Sequence, residues 1–176
     1  MPLKTSSYEE KLINECLNGE RSAQKELYDK YKSAMYTIAV RITNGTDDAC
    51  DTLQDAFIQV FRDLKQFNKQ STIGAWIKTI VIRTAVKNTK KLNLTESFDE
   101  LKDHEVIEWP NVLNGEHLSK AISELPQGYR MTFLLTEVEG YSHKEVAAIL
   151  NVSEGTSKSQ LFHAKKMLQK KLKHLI

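Results

Sequence analysis

The sequence predicts an all-α protein made of two small helical domains joined by a linker. Three observations favour this fold class. Apolar side chains recur at helical spacing through long stretches, strand signals are almost absent, and an acidic stretch without a sustained period separates two groups of helical segments. The predicted boundaries are residues 8–91 for the first domain, 92–114 for the linker and 115–176 for the second domain.

Four helices are predicted in the first domain. The first covers residues 8–17 and the second 22–43, and each stops near an Asn-Gly pair that favours a turn. The third covers 46–66, begins with a cap and a cluster of Asp, and carries one apolar stripe. The fourth covers 72–91 and follows a polar loop.

Composition and the positions of Pro and Gly predict a linker after the first domain, followed by two more helices. Residues 92–114 hold six acidic residues and one Lys, a net charge of −5, and Pro110 lies near their end. This composition is typical of an interdomain tether. Helices resume over 116–125 and 127–139, and the latter stops at Gly140.

The last two predicted helices form a helix-turn-helix. The first of them begins with Ser142 and Glu145, the two residues of a capping box, and ends at Asn151, which tolerates the left-handed conformation. Ser153 caps the next helix, and residues 154–176 carry six Lys and one Glu, a net charge of +5. In this motif the second helix enters the major groove of DNA, so we predict DNA contact.

The final helix has two predicted faces. At about 100° per residue the inward face holds Ser157, Leu161, Ala164, Leu168, Leu172 and Leu175. A solvated amphipathic helix is the simpler alternative, but the capped helix and turn before it favour DNA contact. The residues predicted to contact DNA are Thr156, Lys158, Ser159, Gln160, Phe162, His163, Lys165 and Lys166.

Overall composition excludes several classes of protein. The 176 residues carry a net charge of only +2, so DNA binding must come from local basic patches rather than from a uniformly basic surface. Neither a signal peptide nor a run of 18 apolar residues is present, so we expect a soluble, cytoplasmic protein without membrane insertion.

Cys16 and Cys50 lack metal-ligand spacing and are predicted to be buried thiols. We expect no metal, no cofactor and no enzymatic activity, because no catalytic motif is present.

The third and fourth helices each present a surface that the core does not explain. On the third, Asp51, Asp55, Ile58 and Arg62 lie opposite the apolar stripe, with Gln54 at its border. A solvated face and a protein-binding surface explain this pattern equally well.

The fourth helix has no acidic residue and a net charge of +5. One face of it holds Trp76, Thr79, Arg83, Lys87 and Lys90. An aromatic ring beside a basic stripe suits single-stranded nucleic acid, since bases stack on aromatics and cations follow phosphates. The alternative is a core Trp beside solvated lysines.

These segments together resemble a bacterial RNA polymerase sigma factor of the extracytoplasmic-function (ECF) type. Residues 51–61 are similar to the core-polymerase-binding helix of that family, and residues 67–91 are similar to its reader of the −10 promoter element. The segments similar to its −35 reader are Leu125-Pro126, Arg130, Gly140-Tyr-Ser142, Glu145-Val-Ala147 and Ser153-Glu-Gly155-Thr156-Ser-Lys158-Ser159.

The resemblance implies a region 2-like domain, a region 4-like domain, and three kinds of partner. Core RNA polymerase would bind through its β′ clamp coiled coil and its β flap, promoter DNA would bind both domains, and an anti-sigma factor would regulate them. The implied polymerase-binding residues are Asp51, Gln54, Asp55, Phe57 and Ile58. The implied −10 residues are Phe67, Asn68, Gln70, Ser71, Trp76, Thr79, Arg83, Lys87 and Lys90.

The expected function is therefore promoter recognition, −10 melting and transcription initiation with core polymerase. Four positions depart from the family pattern. Gln160 and His163 stand where Arg is common, and Thr79 and Arg83 stand where Arg and Asn are frequent. The alternative is a stand-alone helix-turn-helix regulator that binds duplex DNA as a dimer. It explains the C-terminal domain but neither surface of the first domain.

Overall fold

The computed structural model describes residues 7–92 and 115–173, with side chains for 7–89 and 115–173. Contacts divide the chain into two compact units, Met1–Asn93 and Leu94–Ile176. The described residues form eight α-helices and no strand, which confirms the all-α prediction. The helices are α1 Ser7–Leu17, α2 Arg21–Thr43, α3 Thr46–Asp63, α4 Ile73–Leu92, α5 Gly115–Ser123, α6 Gln127–Phe133, α7 His143–Leu150 and α8 Glu154–Lys173.

In the first unit, α2, α3 and α4 pack against one another, and α1 lies on α2. α4 contributes the fully buried Ile73, Ile77 and Ile82 to this core, because an almost unbroken run of β-branched and small side chains fills its inward side. At Gly74, α4 comes so close to α2 that a Cβ added to the glycine would lie 2.8 Å from the Cε1 of Tyr31 on α2. Any larger residue at position 74 would therefore have to displace the Tyr31 ring, and glycine lets α2 and α4 pack this closely.

The ends of α2 and α3 agree with the predicted turn chemistry. Asn44 ends α2 in the left-handed region, with φ at 62°, and its N–H donates to the carbonyl of Val40. Asp47 and Asp48 lie in the first turn of α3, where the helix dipole favours negative charge. The helix predicted over 46–66 is α-helical only to Asp63 and then tightens into a 3₁₀ turn, Leu64–Gln66.

In the second unit, α5, α6 and α7 each pack against α8. The core consists of Ala121, Leu125, Phe133, Ala164, Leu168 and Leu172. The helix predicted over 127–139 is α-helical only to Phe133 and continues as a π-helical segment, Leu134–Val138. The N–H of Glu139 donates to the carbonyl of Leu134 at 2.9 Å, five residues back, which widens that turn.

Two sequence expectations about cysteines had different outcomes. Cys16 is buried, as predicted, and burial raises the pKa of its thiol. The prediction for Cys50 is wrong: Cys50 is exposed, because its neighbour Ala49 occupies the inward position in the first turn of α3.

Residues 93–114 of the predicted linker, and Leu175, lie outside the described residues. In the part of the chain that the structure describes, no helix is long and apolar enough to cross a membrane.

Candidate nucleic-acid and protein interfaces

One candidate interface is the outer side of α3, called here the α3 surface and consisting of Asp51, Gln54, Asp55 and Ile58. All four side chains are exposed, and 66% of the Ile58 surface is open to solvent. A large aliphatic side chain exposed among carboxylates adds an apolar contact point to an acidic face. The α3 surface therefore has both elements of a protein-binding patch, apolar area and charge.

Phe57 does not belong to the α3 surface, which corrects the role implied for it by resemblance. Its side chain is buried, and its ring packs edge-on against Tyr28 with centroids 4.8 Å apart. Phe57 lies four residues after the buried Leu53, so the helical repeat places it on the core side of α3. It supports the helix from within rather than contacting a partner.

A residue that sequence reasoning missed lies beside the α3 surface. Asn88 of α4 donates from Nδ2 to the Asp55 carboxylate at 3.4 Å and to the Thr52 hydroxyl at 3.3 Å. These two contacts limit the positions that the Asp55 side chain adopts. No sequence signal pointed to Asn88, because the contact depends on how α4 packs against α3.

A second candidate interface is the α4 face, defined by Trp76, Thr79, Arg83 and Lys87. Arg83 and Lys87 are exposed, whereas Trp76 and Thr79 are half-buried. The Thr79 hydroxyl donates to the carbonyl of Ala75 at 3.1 Å, so it is already bonded within its own helix. The predicted alignment of an aromatic ring with two cations is present, and the Lys90 side chain lies outside the described residues.

Phe67 is placed differently from the prediction, which counted it among the residues that contact the −10 element. Only 9% of its surface is exposed, and its ring packs against that of Trp76, with centroids 5.6 Å apart and planes at 51°. A Phe ring has no polar atom to keep in water, so burial beneath the half-exposed Trp76 is favourable. Phe67 thus supports Trp76 and does not itself present a surface to a base.

The loop between the 3₁₀ turn and α4 keeps its other predicted residues accessible. Asn68 and Gln70 are exposed and Ser71 is half-buried. The Asn68 side-chain oxygen accepts from the N–H of Gln70 at 3.1 Å, an Asx turn that fixes the loop. Lys69, which sequence reasoning missed, has a φ of 59° and pairs with Glu10 of α1 at 3.1 Å.

The third candidate interface is the helix-turn-helix, whose frame forms as predicted. Ser142 and Glu145 make a reciprocal capping box at the start of α7. Hydrogen bonds from the Ser142 hydroxyl and N–H hold the pKa of Glu145 below its ordinary value of 4.5. Asn151 ends α7 in the left-handed region, and the Ser153 hydroxyl accepts from the N–H of Thr156 at 2.9 Å.

The accessible side of the first four turns of α8, called here the α8 face, is polar and basic. Two of its lysines are paired: Lys158 with Glu154 at 2.8 Å, and Lys165 with Glu137 of the π-helical segment at 3.0 Å. The hydrogen bond from Lys158 lowers the pKa of Glu154. The face consists of the exposed Lys158 and Ser159 and the half-buried Thr156, Phe162, Lys165 and Lys166.

Gln160 and His163 were predicted to contact DNA, and their burial corrects that prediction. They are 4% and 7% exposed. Three residues turn a helix by about 300°, so Gln160 lies only about 60° from the inward Ser157. His163 lies about 120° from Ser157, and its ring is buried there because it packs against the ring of Tyr129. Gln160 accepts a 2.6 Å hydrogen bond from the hydroxyl of Thr132, a partner that sequence reasoning did not identify.

Comparisons with known proteins match both units. The family model described as "Sigma-70 region 2" matches residues 27–94, and the one described as "Sigma-70, region 4" matches residues 116–168. Together they cover well over half of the chain and bracket all three candidate interfaces. The chain belongs to the sigma-70 family, in its ECF group.

Full-length relatives and solved structures agree with this membership. The chain is 27% identical to the RNA polymerase sigma-H factor of Pseudomonas aeruginosa, over 98% of this chain and 97% of that relative. It is also 27% identical to the ECF RNA polymerase sigma-E factor of Escherichia coli strain K12, over 94% of each. The fold resembles CnrH, solved with the cytosolic domain of CnrY (TM-score 0.55, 20% identity, 93% of this chain and 96% of that chain). It also resembles the sigma factor RpoE of Bartonella quintana, solved with the anti-sigma factor NepR (TM-score 0.58, 23% identity, 85% and 96%).

Proposed function

We propose that this sigma factor binds core RNA polymerase and directs promoter recognition, −10 melting and transcription initiation. The observation that carries the proposal is that one chain has an exposed acidic and apolar surface on α3 and two separate helices with accessible basic side chains, α4 and α8. A stand-alone duplex regulator needs only the last of these three. We assign the chain no catalysis of its own and place its action in the cytoplasm, with the polymerase.

Polymerase binding is assigned to the α3 surface, which would dock on the β′ clamp coiled coil, while the second unit would contact the β flap. The exposed Ile58 supplies apolar area that becomes buried on docking, and Asp51 and Asp55 supply charge that selects a basic partner. Asn88 assists by holding the Asp55 carboxylate in place. Phe57 acts only through the packing of α3.

The α4 face is assigned to the non-template strand of the −10 element. Trp76 is half-exposed and backed by Phe67, so it offers a rigid surface on which an unpaired base stacks. Stacking on an aromatic ring contributes roughly 1–3 kcal/mol per base, and extruding a base costs a few kcal/mol, least where the duplex is already opening. Base capture can therefore drive melting without ATP. Arg83 and Lys87 would hold the backbone, and the loop residues Asn68, Gln70 and Ser71 would surround the captured base.

The α8 face is assigned to the −35 duplex. Lys158 and Ser159 are exposed near the N-terminal end of the helix, the end that enters the major groove in this motif. Lys165 and Lys166 lie farther along and would contact phosphates. Lys158 and Lys165 are already paired with carboxylates, so phosphate contacts replace existing ion pairs and add only modest net affinity.

Regulation by an anti-sigma factor is part of the proposal. RpoE of Bartonella quintana was solved with such a partner, and this chain shares the fold of RpoE. An inhibitor that covers the α3 surface or the DNA-facing helices would keep the factor from polymerase. Affinity capture of the tagged chain from its own cells, followed by mass spectrometry, tests this. Recovery of polymerase subunits and no other stoichiometric partner counts against a dedicated inhibitor.

The decisive test is run-off transcription with core polymerase and genomic fragments, with Asp55→Arg as the informative variant. We expect wild-type protein to add promoter-dependent transcripts. Asp55→Arg should abolish core binding without unfolding the protein, since Asp55 is exposed and its 3.4 Å contact with Asn88 lies at the surface. Glu26→Arg makes the same charge change at an exposed position of α2 and should bind core normally. Unchanged core affinity in Asp55→Arg would show that the docking assignment is wrong.

A further inference from the structure

The inward face of α8 is unusual because its first three turns contain polar side chains. Ser157, Gln160 and His163 are buried at successive three-residue steps, beside the partly buried Leu161, and from Ala164 onward the buried residues of α8 are apolar. A helix held by packing alone would carry aliphatic residues there. We call these three residues the buried polar seam.

Each member of the seam has a directional partner on another helix. Gln160 accepts from the hydroxyl of Thr132 on α6 at 2.6 Å, and Thr132 is itself fully buried. The Ser157 hydroxyl lies 2.9 Å from Nδ1 of His143 on α7. The His163 ring packs against that of Tyr129 on α6, with centroids 5.8 Å apart and planes inclined by 30°. Contacts to two helices therefore fix α8 from two directions.

Directional contacts define the rotation of a helix, whereas apolar packing tolerates small shifts. An α-helix with its side chains is about 10–12 Å across, so a rotation of 20° moves its surface atoms by about 2 Å. Such a shift would break the hydrogen bond between Thr132 and Gln160. It would also exceed the tolerance of about 0.5 Å within which a binding residue must be held.

We propose that the buried polar seam sets the rotation of α8 and thereby decides which side chains of the α8 face reach the base edges of the −35 element. Thr132 and Gln160 are positioning residues in this scheme and do not touch DNA. The inference rests on the proposed function and deepens it. It accounts for a glutamine on the buried side of α8: Gln160 orients the helix and does not contact DNA.

The hydroxyl of Thr132 offers a matched pair of variants. Thr132→Ser keeps the hydroxyl and loses a methyl group, whereas Thr132→Val keeps the shape and loses the hydroxyl. If Thr132→Val leaves Gln160 without a donor and the protein fails to fold, the double variant Thr132→Val with Gln160→Leu replaces both partners by apolar groups of similar size. Such paired replacements are nearly neutral for stability.

The assay is transcription by the full-length factor with core polymerase on a promoter library randomised at the −35 element. For the valine variants we expect the preference for the best −35 sequence over a scrambled one to fall by about tenfold, the discrimination that a single base contact supplies. Thr132→Ser should keep the wild-type profile. Salt dependence should stay unchanged in all variants, because the lysines still meet phosphates.

Three results would overturn the seam proposal while leaving the proposed function in place. One is an unchanged −35 profile in both valine variants. Another is a loss of −35 preference that correlates with a lower denaturation midpoint across the variants, so that Thr132→Ser loses as much preference as Thr132→Val. The third is a wild-type factor that initiates transcription with no −35 preference. Failure of the wild-type factor to initiate at all would instead remove the proposed function, and the seam proposal with it.

Discussion

The exposed Ile58 gives the sharpest test of the α3 surface, through the substitution Ile58→Ala. Alanine lacks three carbons of the isoleucine side chain, and burying one carbon contributes about 0.8 kcal/mol, so a complete transfer from water is worth about 2.4 kcal/mol. In the free chain 66% of Ile58 is exposed and available for burial on docking. The expected loss of binding free energy is therefore about 1.6 kcal/mol, or roughly fifteenfold in Kd.

Stability should not change with this substitution. Ile58 makes little contact with the core, and alanine is a good helix former, so the free energy of unfolding should stay within about 0.5 kcal/mol of wild type. The assay is fluorescence anisotropy of labelled factor titrated with core polymerase, paired with urea denaturation. Leu17→Ala removes another exposed aliphatic side chain of the same unit, on α1, and should leave core affinity unchanged.

The reasoning fails under two outcomes. If Ile58→Ala binds core within about twofold of wild type, docking does not bury Ile58 and the α3 surface is not the contact. If Leu17→Ala weakens binding as much as Ile58→Ala, the effect belongs to general surface hydrophobicity rather than to α3. A loss of stability in Ile58→Ala would mean that the side chain contributes to the core.

Three further predictions follow from single contacts. Gly74→Ala should lower the free energy of unfolding by about 1 kcal/mol, because overpacking against the Tyr31 ring outweighs the gain in helix propensity. Ser142→Ala should destabilise the second unit by about 1 kcal/mol through loss of the α7 cap. That difference should shrink as pH falls below 4.5, because the lowered pKa of Glu145 gives stability that is lost on protonation. Lys87→Ala should reduce the salt dependence of binding to single-stranded −10 DNA by about 0.7 in log–log slope.

Each of these has a simple control. Gly155→Ala, where the nearest atom to an added Cβ is 3.7 Å away, should stabilise slightly, and a stabilising Gly74→Ala would contradict the close packing of α2 and α4. A Ser142→Ala deficit that stays constant to pH 3 would argue against the capping box. For Lys87, an unchanged salt slope measured with polymerase-bound factor would remove this residue from the phosphate contacts.

Sequence reasoning predicted features that depend on local chemistry. The end of α2 at Asn44, the capping box of α7, the turn at Asn151 and the cap at Ser153 all formed as expected, because each involves residues within a few positions of one another. The exposed cations of α4 were also predicted, since a helix with no acidic residue and a buried opposite side leaves its charges in water.

Local sequence chemistry could not predict the burial of side chains whose partners lie far away in the sequence. Gln160 lies where the helical angle alone leaves either environment open, whereas the angle predicts that His163 faces solvent. Thr132 and Tyr129, far away in the sequence, supply their buried partners. Phe67 lies in a loop and has no helical angle at all; the ring of Trp76 gives it a buried site. Helical spacing and family resemblance predicted accessible positions for Gln160, His163 and Phe67, whereas the structure buries all three.

The corrected α8 face suggests why such a factor would depend on polymerase. With Gln160 and His163 inside, and Lys158 and Lys165 already paired with carboxylates, α8 retains few uncommitted groups for DNA, so its independent affinity for duplex should be low. In the proposed function the α4 face binds bases only as they leave the duplex. Two weak contacts become strong only when both are presented at high effective concentration. Docking through the α3 surface would provide that presentation, so stable promoter binding should require polymerase, and the isolated factor should occupy little duplex DNA.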